Sequence, residues 1–239
     1  MMSFSITVPK AVAGESYYSG SVVARQAFTA TVKALTSSGS TDTNYSGTVT
    51  LYANSSTDDK GYKIGTANLT KGVGTSTSLK ITSVIGTGSG RKITAVDSSN
   101  NTGYINVGVW FKGDATNFTG NSQSYCGTPS GNYVALPAYG ICKTDVAVYN
   151  PSTGKAASGK VMDIGPLFDA NLCGSDAYWN TGTEPRSQAH KGEKRCELCG
   201  SDCSKDKVVI NGAIIDLSPN FMTALGGTGT ITNAYWRFS

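Results

Sequence analysis

The run Ile214-Ile-Asp-Leu-Ser-Pro-Asn-Phe-Met-Thr-Ala-Leu-Gly226 carries the most structural instruction in the chain. Ile214–Leu217 is a short apolar stretch with one carboxylate, Asp216, set into it. Ser218 can cap a helix, Pro219 suits a first turn and Gly226 can end it, so the run predicts a strand passing directly into a short helix over Pro219–Gly226. Asp216 then has two readings. It is a helix-start residue whose charge the N-terminal amides favour, or a carboxylate placed for chemistry.

Working outward, Thr230–Phe238 predicts a last strand, and Val146–Tyr149, Lys160–Ile164 and Val208–Ile210 are further short apolar runs. All six cysteines, the single His190 and all three tryptophans, counting Trp110 at the join, fall in this half, which begins near Phe111-Lys-Gly-Asp114. Residues 1–111 are written differently. Phe28–Ala34, Gly47–Tyr52, Thr77–Thr82, Lys92–Val96 and Tyr104–Val109 alternate with period two and are rich in Thr, Val and Ile. Clusters of Gly, Ser, Asn and Asp separate them, at Ser37–Thr43, Asn54–Gly61 and Asp97–Gly103. Such spacing suggests about seven strands in a β-sandwich.

Composition agrees with an all-β extracellular protein. Charged residues make up 15% of the 239, below the roughly 25% of ordinary soluble domains. The net charge of +4 is spread along the chain, and its one basic cluster, Lys191, Lys194 and Arg195, is interleaved with Glu193 and Glu197. That pattern argues against nucleic acid, which needs a one-sided basic patch, and is compatible with a weakly anionic cell-wall polymer. No stretch reaches the apolar length of a membrane span. Met1–Val8 alternates like a strand and lacks the basic start and apolar core of a signal peptide. Either a leader has been removed, or the protein leaves its cell without one, as a phage virion component does.

Ala34–Leu51, Asn68–Gly74 and Ile93–Asp97 resemble the bacterial immunoglobulin-like repeats of surface proteins and some phage tail proteins. That resemblance implies an immunoglobulin-like β-sandwich at residues 1–111, used as a spacer or adhesion unit. Three segments of the second half resemble the double-psi β-barrel families: expansins, rare lipoprotein A-like lytic transglycosylases and small inverting endoglucanases. They are Ala115-Thr-Asn-Phe-Thr-Gly120 with Tyr125-Cys-Gly-Thr-Pro129, Val148–Lys155 leading into Gly159–Pro166, and Ile214–Pro219. The implied fold for residues 112–239 is a six-stranded double-psi barrel. By the same resemblance Asp216 is the acid-like residue, Asp163 its carboxylate neighbour in the groove and Thr116 a groove threonine.

The chemistry explains why those types are wanted. Breaking a glycosidic bond needs an acid to protonate the leaving oxygen. An inverting hydrolase adds a second carboxylate roughly 6.5–9.5 Å away to activate water. A lytic transglycosylase uses the sugar's own 6-hydroxyl instead. Asp163 is also an ordinary turn former, and Thr116 an ordinary strand residue. Expansin-like and inhibitor members keep the barrel without strong hydrolysis, so fold does not settle activity.

Two departures from the family pattern stand out. Asp163 and Asp216 lie 53 positions apart, a much longer link than the families have, because residues 167–207 form a cysteine-rich insertion. Ile164 stands where lipoprotein A-like sequences tend to carry Arg. The insertion holds Cys173, Tyr178, Trp179, His190, Cys196, Cys199 and Cys203. Cys126 and Cys142 sit where related barrels often carry a disulfide. Six cysteines favour a disulfide framework, with Cys173 paired to one of the other three in the insertion. Cys173, Cys196, Cys199 and Cys203 also have zinc-ligand spacing, and a reducing cytosol would favour that alternative. No other cofactor is implied. Tyr178 and Trp179 can stack on a sugar ring or anchor the insertion by packing; Tyr133 and Tyr139 share that ambiguity. His190 reads as a surface residue.

The expected function is a glycan-binding or glycan-cleaving module acting on peptidoglycan or a related polysaccharide, outside the cell or in its envelope. The rival from another class is a non-catalytic structural or adhesion component of a virion, fibre or envelope, working as a homo-oligomer or larger assembly. A barrel-type protease inhibitor is a third.

Overall fold

The computed structural model describes residues 2–54, 61–118, 124–166 and 173–239. The chain divides after Trp110 into two units, Met1–Trp110 and Phe111–Ser239. Thr119 and Gly120 of the first barrel segment, part of the Asn54–Gly61 cluster and the start of the insertion lie outside the described residues.

The first unit contains β1 (Ser3–Thr7), β2 (Gly20–Val23), β3 (Ala27–Phe28), β4 (Thr31–Leu35), β5 (Gly47–Asn54), β6 (Tyr62–Leu69), β7 (Val73–Thr75), β8 (Leu79–Lys80) and β9 (Gly90–Val96). It also takes the first part of β10 (Thr102–Asn117), a long strand that continues into the second unit. One sheet runs β1-β4-β7. Another runs β2-β10-β9-β5-β6, and β3 pairs with β8. Alternation does the work: Val49, Leu51 and Ala53 of β5 are fully buried beside Ile93 and Ala95 of β9 and Val107 and Val109 of β10. At about 25 cal/mol per Å² of apolar surface, such burial is the main stabilising term.

The expected strand Phe28–Ala34 is broken. The Ala30 N–H donates to Ser76 Oγ and its carbonyl accepts from the Ser76 N–H, so the chain leaves β8 and joins β1 and β7 in another sheet. Thr77–Thr82 shortens to β8 for the same reason.

The second unit continues β10 and adds β11 (Tyr133–Ala135), β12 (Asp145–Asn150), β13 (Lys155–Asp163), α1 (Tyr178–Thr181), α2 (Arg186–Ala189), α3 (Arg195–Cys199), β14 (Ala213–Leu217), α4 (Pro219–Ala224) and β15 (Thr230–Phe238). Six strands close into a barrel in the order β14-β11-β13-β12-β15-β10, with β10 returning to β14. Two pairings are parallel, β10 with β14 and β11 with β13. The remaining four are antiparallel. Closure leaves no barrel edge strand exposed to pairing.

The capped helix read from Ser218-Pro219 is present. Ser218 Oγ accepts from the Phe221 N–H at 3.3 Å and from the Tyr133 N–H at 3.1 Å, tying the cap to β11. At the other end the Leu225 carbonyl accepts from Asn150 Nδ2 at 3.1 Å and Thr153 Oγ1 at 2.7 Å. The Asn150–Gly154 turn therefore serves as a clamp on α4.

The insertion packs through aromatic side chains. Tyr178 and Trp179 are 1% and 2% exposed, and Trp179 meets Trp236 and Phe238 edge-on at 5.7 and 5.5 Å. The Tyr178 hydroxyl donates to the Ile214 carbonyl and accepts from Trp236 Nε1. Neither ring offers a face to a sugar, which corrects the substrate-stacking role: packing has taken both faces.

Three disulfides lock this half: Cys126–Cys142, Cys173–Cys199 and Cys196–Cys203. Cys196 and Cys199 stand three apart on α3, so they share a face and reach separate partners. The four sulfurs of the zinc alternative are thus spent in two bonds. Among the described residues no group of three or more His, Cys, Asp or Glu is arranged to hold a metal ion. Disulfides of this kind point to an oxidising, extracellular setting. Among the described residues no helix is long and apolar enough to cross a membrane.

Candidate functional site

The barrel register aligns the three residues singled out from the sequence. Thr116 of β10 pairs with Asp216 of β14, Asp216 pairs with Ala135 of β11, and Ala135 pairs with Asp163 of β13. The row crosses four adjacent strands. With neighbouring strands about 4.8 Å apart, the backbones of Asp163 and Asp216 lie about 10 Å apart.

Each side chain is held differently. Thr116 Oγ1 donates to Asp216 Oδ1. Asp163 Oδ1 accepts from the Ile164 N–H at 2.9 Å and the Tyr125 N–H at 3.1 Å. Asp216 Oδ2 faces the backbone of Gly165, where a Cβ would come within 3.1 Å of it. Burial pushes the Asp216 carboxyl up to about 6; the Thr116 hydrogen bond opposes the shift and the charge of Asp163 adds to it. Because the threonine hydroxyl already donates to Oδ1, the proton of the neutral acid belongs on Oδ2.

Asp216 lines a cavity of about 160 Å³. The other walls are Pro166 and residues of the insertion and its exit: Ser187, Arg195, Val208, Val209, Ile210 and Asn211. Sequence reading gave the insertion no defined place; it supplies Ser187 and Arg195 to this wall, and the segment that follows it supplies Val208–Asn211. The wall is braced. Arg195 pairs with Asp206 through Nε at 2.9 Å and Nη2 at 3.2 Å, and Asp206 accepts from the Val208 N–H at 3.1 Å. The Arg195 hydrogen bond holds the Asp206 carboxyl below its ordinary range. Backbone bonds join Gly192 to Ile210 and Arg195 to Val208, each at 2.9 Å.

Other candidates fall elsewhere. His190 is paired with Glu193 at 3.1 Å on the surface. Tyr133 meets Phe118 edge-on. The sequence reading passed over Tyr125 as a contact residue. It is 60% exposed, lies 5.4 Å ring to ring from Tyr139, and its backbone supports Asp163. The signal for it was its place in Tyr125-Cys126-Gly127, next to a cross-linked cysteine.

A carboxylic acid that keeps its proton to about pH 6, one oxygen positioned by a hydroxyl and the residue bordering a cavity, can act as a general acid. Comparison with models of known protein families and with curated proteins finds no match to this chain.

Proposed function

We propose that the second unit is a double-psi β-barrel that cleaves a cell-wall glycan, carried on an immunoglobulin-like sandwich formed by the first. The observation that carries the reading is Asp216, an acid with a raised pKa held by Thr116 and set beside Asp163 at a cavity. Two parallel pairs within a closed six-strand barrel support the double-psi reading, and the division of the first unit's short strands between separate sheets supports the immunoglobulin-like one.

In the proposed reaction Asp216 Oδ2 gives its proton to the glycosidic oxygen as the bond from that oxygen to the anomeric carbon breaks. The anomeric carbon is taken by a hydroxyl, either water or the sugar's own 6-hydroxyl. The proton that hydroxyl sheds passes to Asp163. Water gives a reducing end; the 6-hydroxyl gives an anhydro-sugar.

The test is digestion of purified peptidoglycan by wild type and Asp216→Asn, with soluble products read by mass spectrometry. Fragments from wild type alone support the reading. No fragments from either folded protein would overturn it and favour the structural or adhesion alternative.

A further inference from the structure

The cavity at Asp216 has a composition of its own. Val208, Val209, Ile210 and Pro166 give it an apolar side, and Asn211, Arg195 and Ser187 a polar one. Its roughly 160 Å³ is smaller than the 300 Å³ or more of a typical ligand pocket. It therefore suits one substituent of a sugar rather than a length of chain.

The polar groups are committed on one side only. Ser187 Oγ donates to the Ala213 carbonyl. Asn211 Oδ1 accepts from the Ala213 N–H at 2.9 Å, which fixes the side chain and leaves its amide hydrogens as donors. Arg195 gives Nε and Nη2 to Asp206 and keeps Nη1. The cavity thus joins N–H donors to apolar lining, with Val208 and Val209 47% and 57% exposed at its rim. A group that satisfies both has a carbonyl oxygen and a methyl on one small plane.

We propose that this cavity is a subsite for the acetamido group of an N-acetylated sugar, seated beside the bond that Asp216 protonates. The Asn211 amide donates to the acetyl oxygen, and Val209 and Ile210 cover the methyl. The Val208–Asn211 segment that follows the insertion is then a specificity element that separates N-acetylated glycans from plain glucans. This inference rests on the glycan-cleaving reading and names the substrate class of the same site.

The test uses the full-length Asp216→Asn protein, which binds without cutting, and calorimetry with three probes: chitotetraose, cellotetraose and soluble peptidoglycan strand fragments. Chitotetraose or the strand fragments should bind about tenfold to a hundredfold more tightly than cellotetraose, the scale of a lost methyl contact and hydrogen bond. The tighter of the two N-acetylated probes identifies the source polymer. Adding Asn211→Asp, which keeps the acceptor to Ala213 and removes the donors, should abolish the preference; Val209→Ser, at an exposed position, should reduce it. Equal binding of all three probes overturns the subsite, as does a preference that survives Asn211→Asp. Peptidoglycan cleavage by wild type together with equal binding would defeat the subsite alone. A tetrasaccharide preference without cleavage would defeat the enzyme reading alone.

Discussion

Glu15 and Asp216 are both acids drawn out of water, and the two halves of the chain treat them in opposite ways. Glu15, 3% exposed, is surrounded by donors: Oε1 accepts from the Tyr17 and Tyr18 N–H groups at 2.7 and 2.9 Å, and Oε2 from Trp110 Nε1 at 3.1 Å. Asp97 is similar, accepting from Ser99, Asn101 and Tyr45. These carboxylates tie loops to strands. Asp216 receives the Thr116 hydroxyl on one oxygen, has a second carboxylate as neighbour and borders a cavity. Donors on every side make a carboxylate structural. Burial with few donors and a like charge makes it an acid.

That contrast can be broken in several places. The largest effect is expected at the packing that holds the insertion. Trp179→Ala removes a buried indole and should cost about 3–5 kcal/mol, read by chemical denaturation of the second unit. Cleavage should fall with it, because the insertion that packs there also carries Ser187 and Arg195 of the cavity. Next, Glu15→Ala strands three N–H donors and should cost about 3 kcal/mol in the first unit without altering glycan cleavage. A loss of cleavage in that variant would erase the distinction between the two acids.

A subtler effect has the opposite sign. The folded Asp216 holds its proton to about pH 6, whereas in the unfolded chain it titrates near 3.8. The folded state binds the extra proton between those values, so stability falls as pH rises through that window. Asp216→Asn should therefore be about 3 kcal/mol more stable than wild type at pH 7 and equal to it below about pH 3, in paired urea melts. Through the same carboxyl, the proposed cleavage should decline as pH rises through about 6, read as a pH–rate profile on peptidoglycan. The smallest change is Gly165→Ala. Its new methyl would crowd Asp216 Oδ2 and should slow cleavage about tenfold while leaving the fold intact, seen as a fall in kcat at constant melting temperature.

Much of this was legible in the chain. Ser218-Pro219 announced both the strand end and the helix cap, because those residue types act locally. Thr116, Asp163 and Asp216 came from a pattern of segments, and the barrel register then aligned them on neighbouring strands. What sequence could not supply was set by tertiary contact. Tyr178 and Trp179 read equally as sugar platforms and as anchors until Trp236 and Phe238 were found against them. Val208–Ile210 read as another apolar run, yet it forms a cavity wall because Asp206 and Arg195 hold the backbone there. The cysteine pairing depended on α3 presenting Cys196 and Cys199 on one face, which spacing alone left open.

The most direct measurement is the titration of the Asp216 carboxyl carbon by NMR in wild type and in Asp163→Asn. The account predicts a midpoint near 6 in wild type and a lower one once the neighbouring charge is removed. A wild-type midpoint near 4, unmoved by Asp163→Asn, would contradict it and leave Asp216 a helix-start residue.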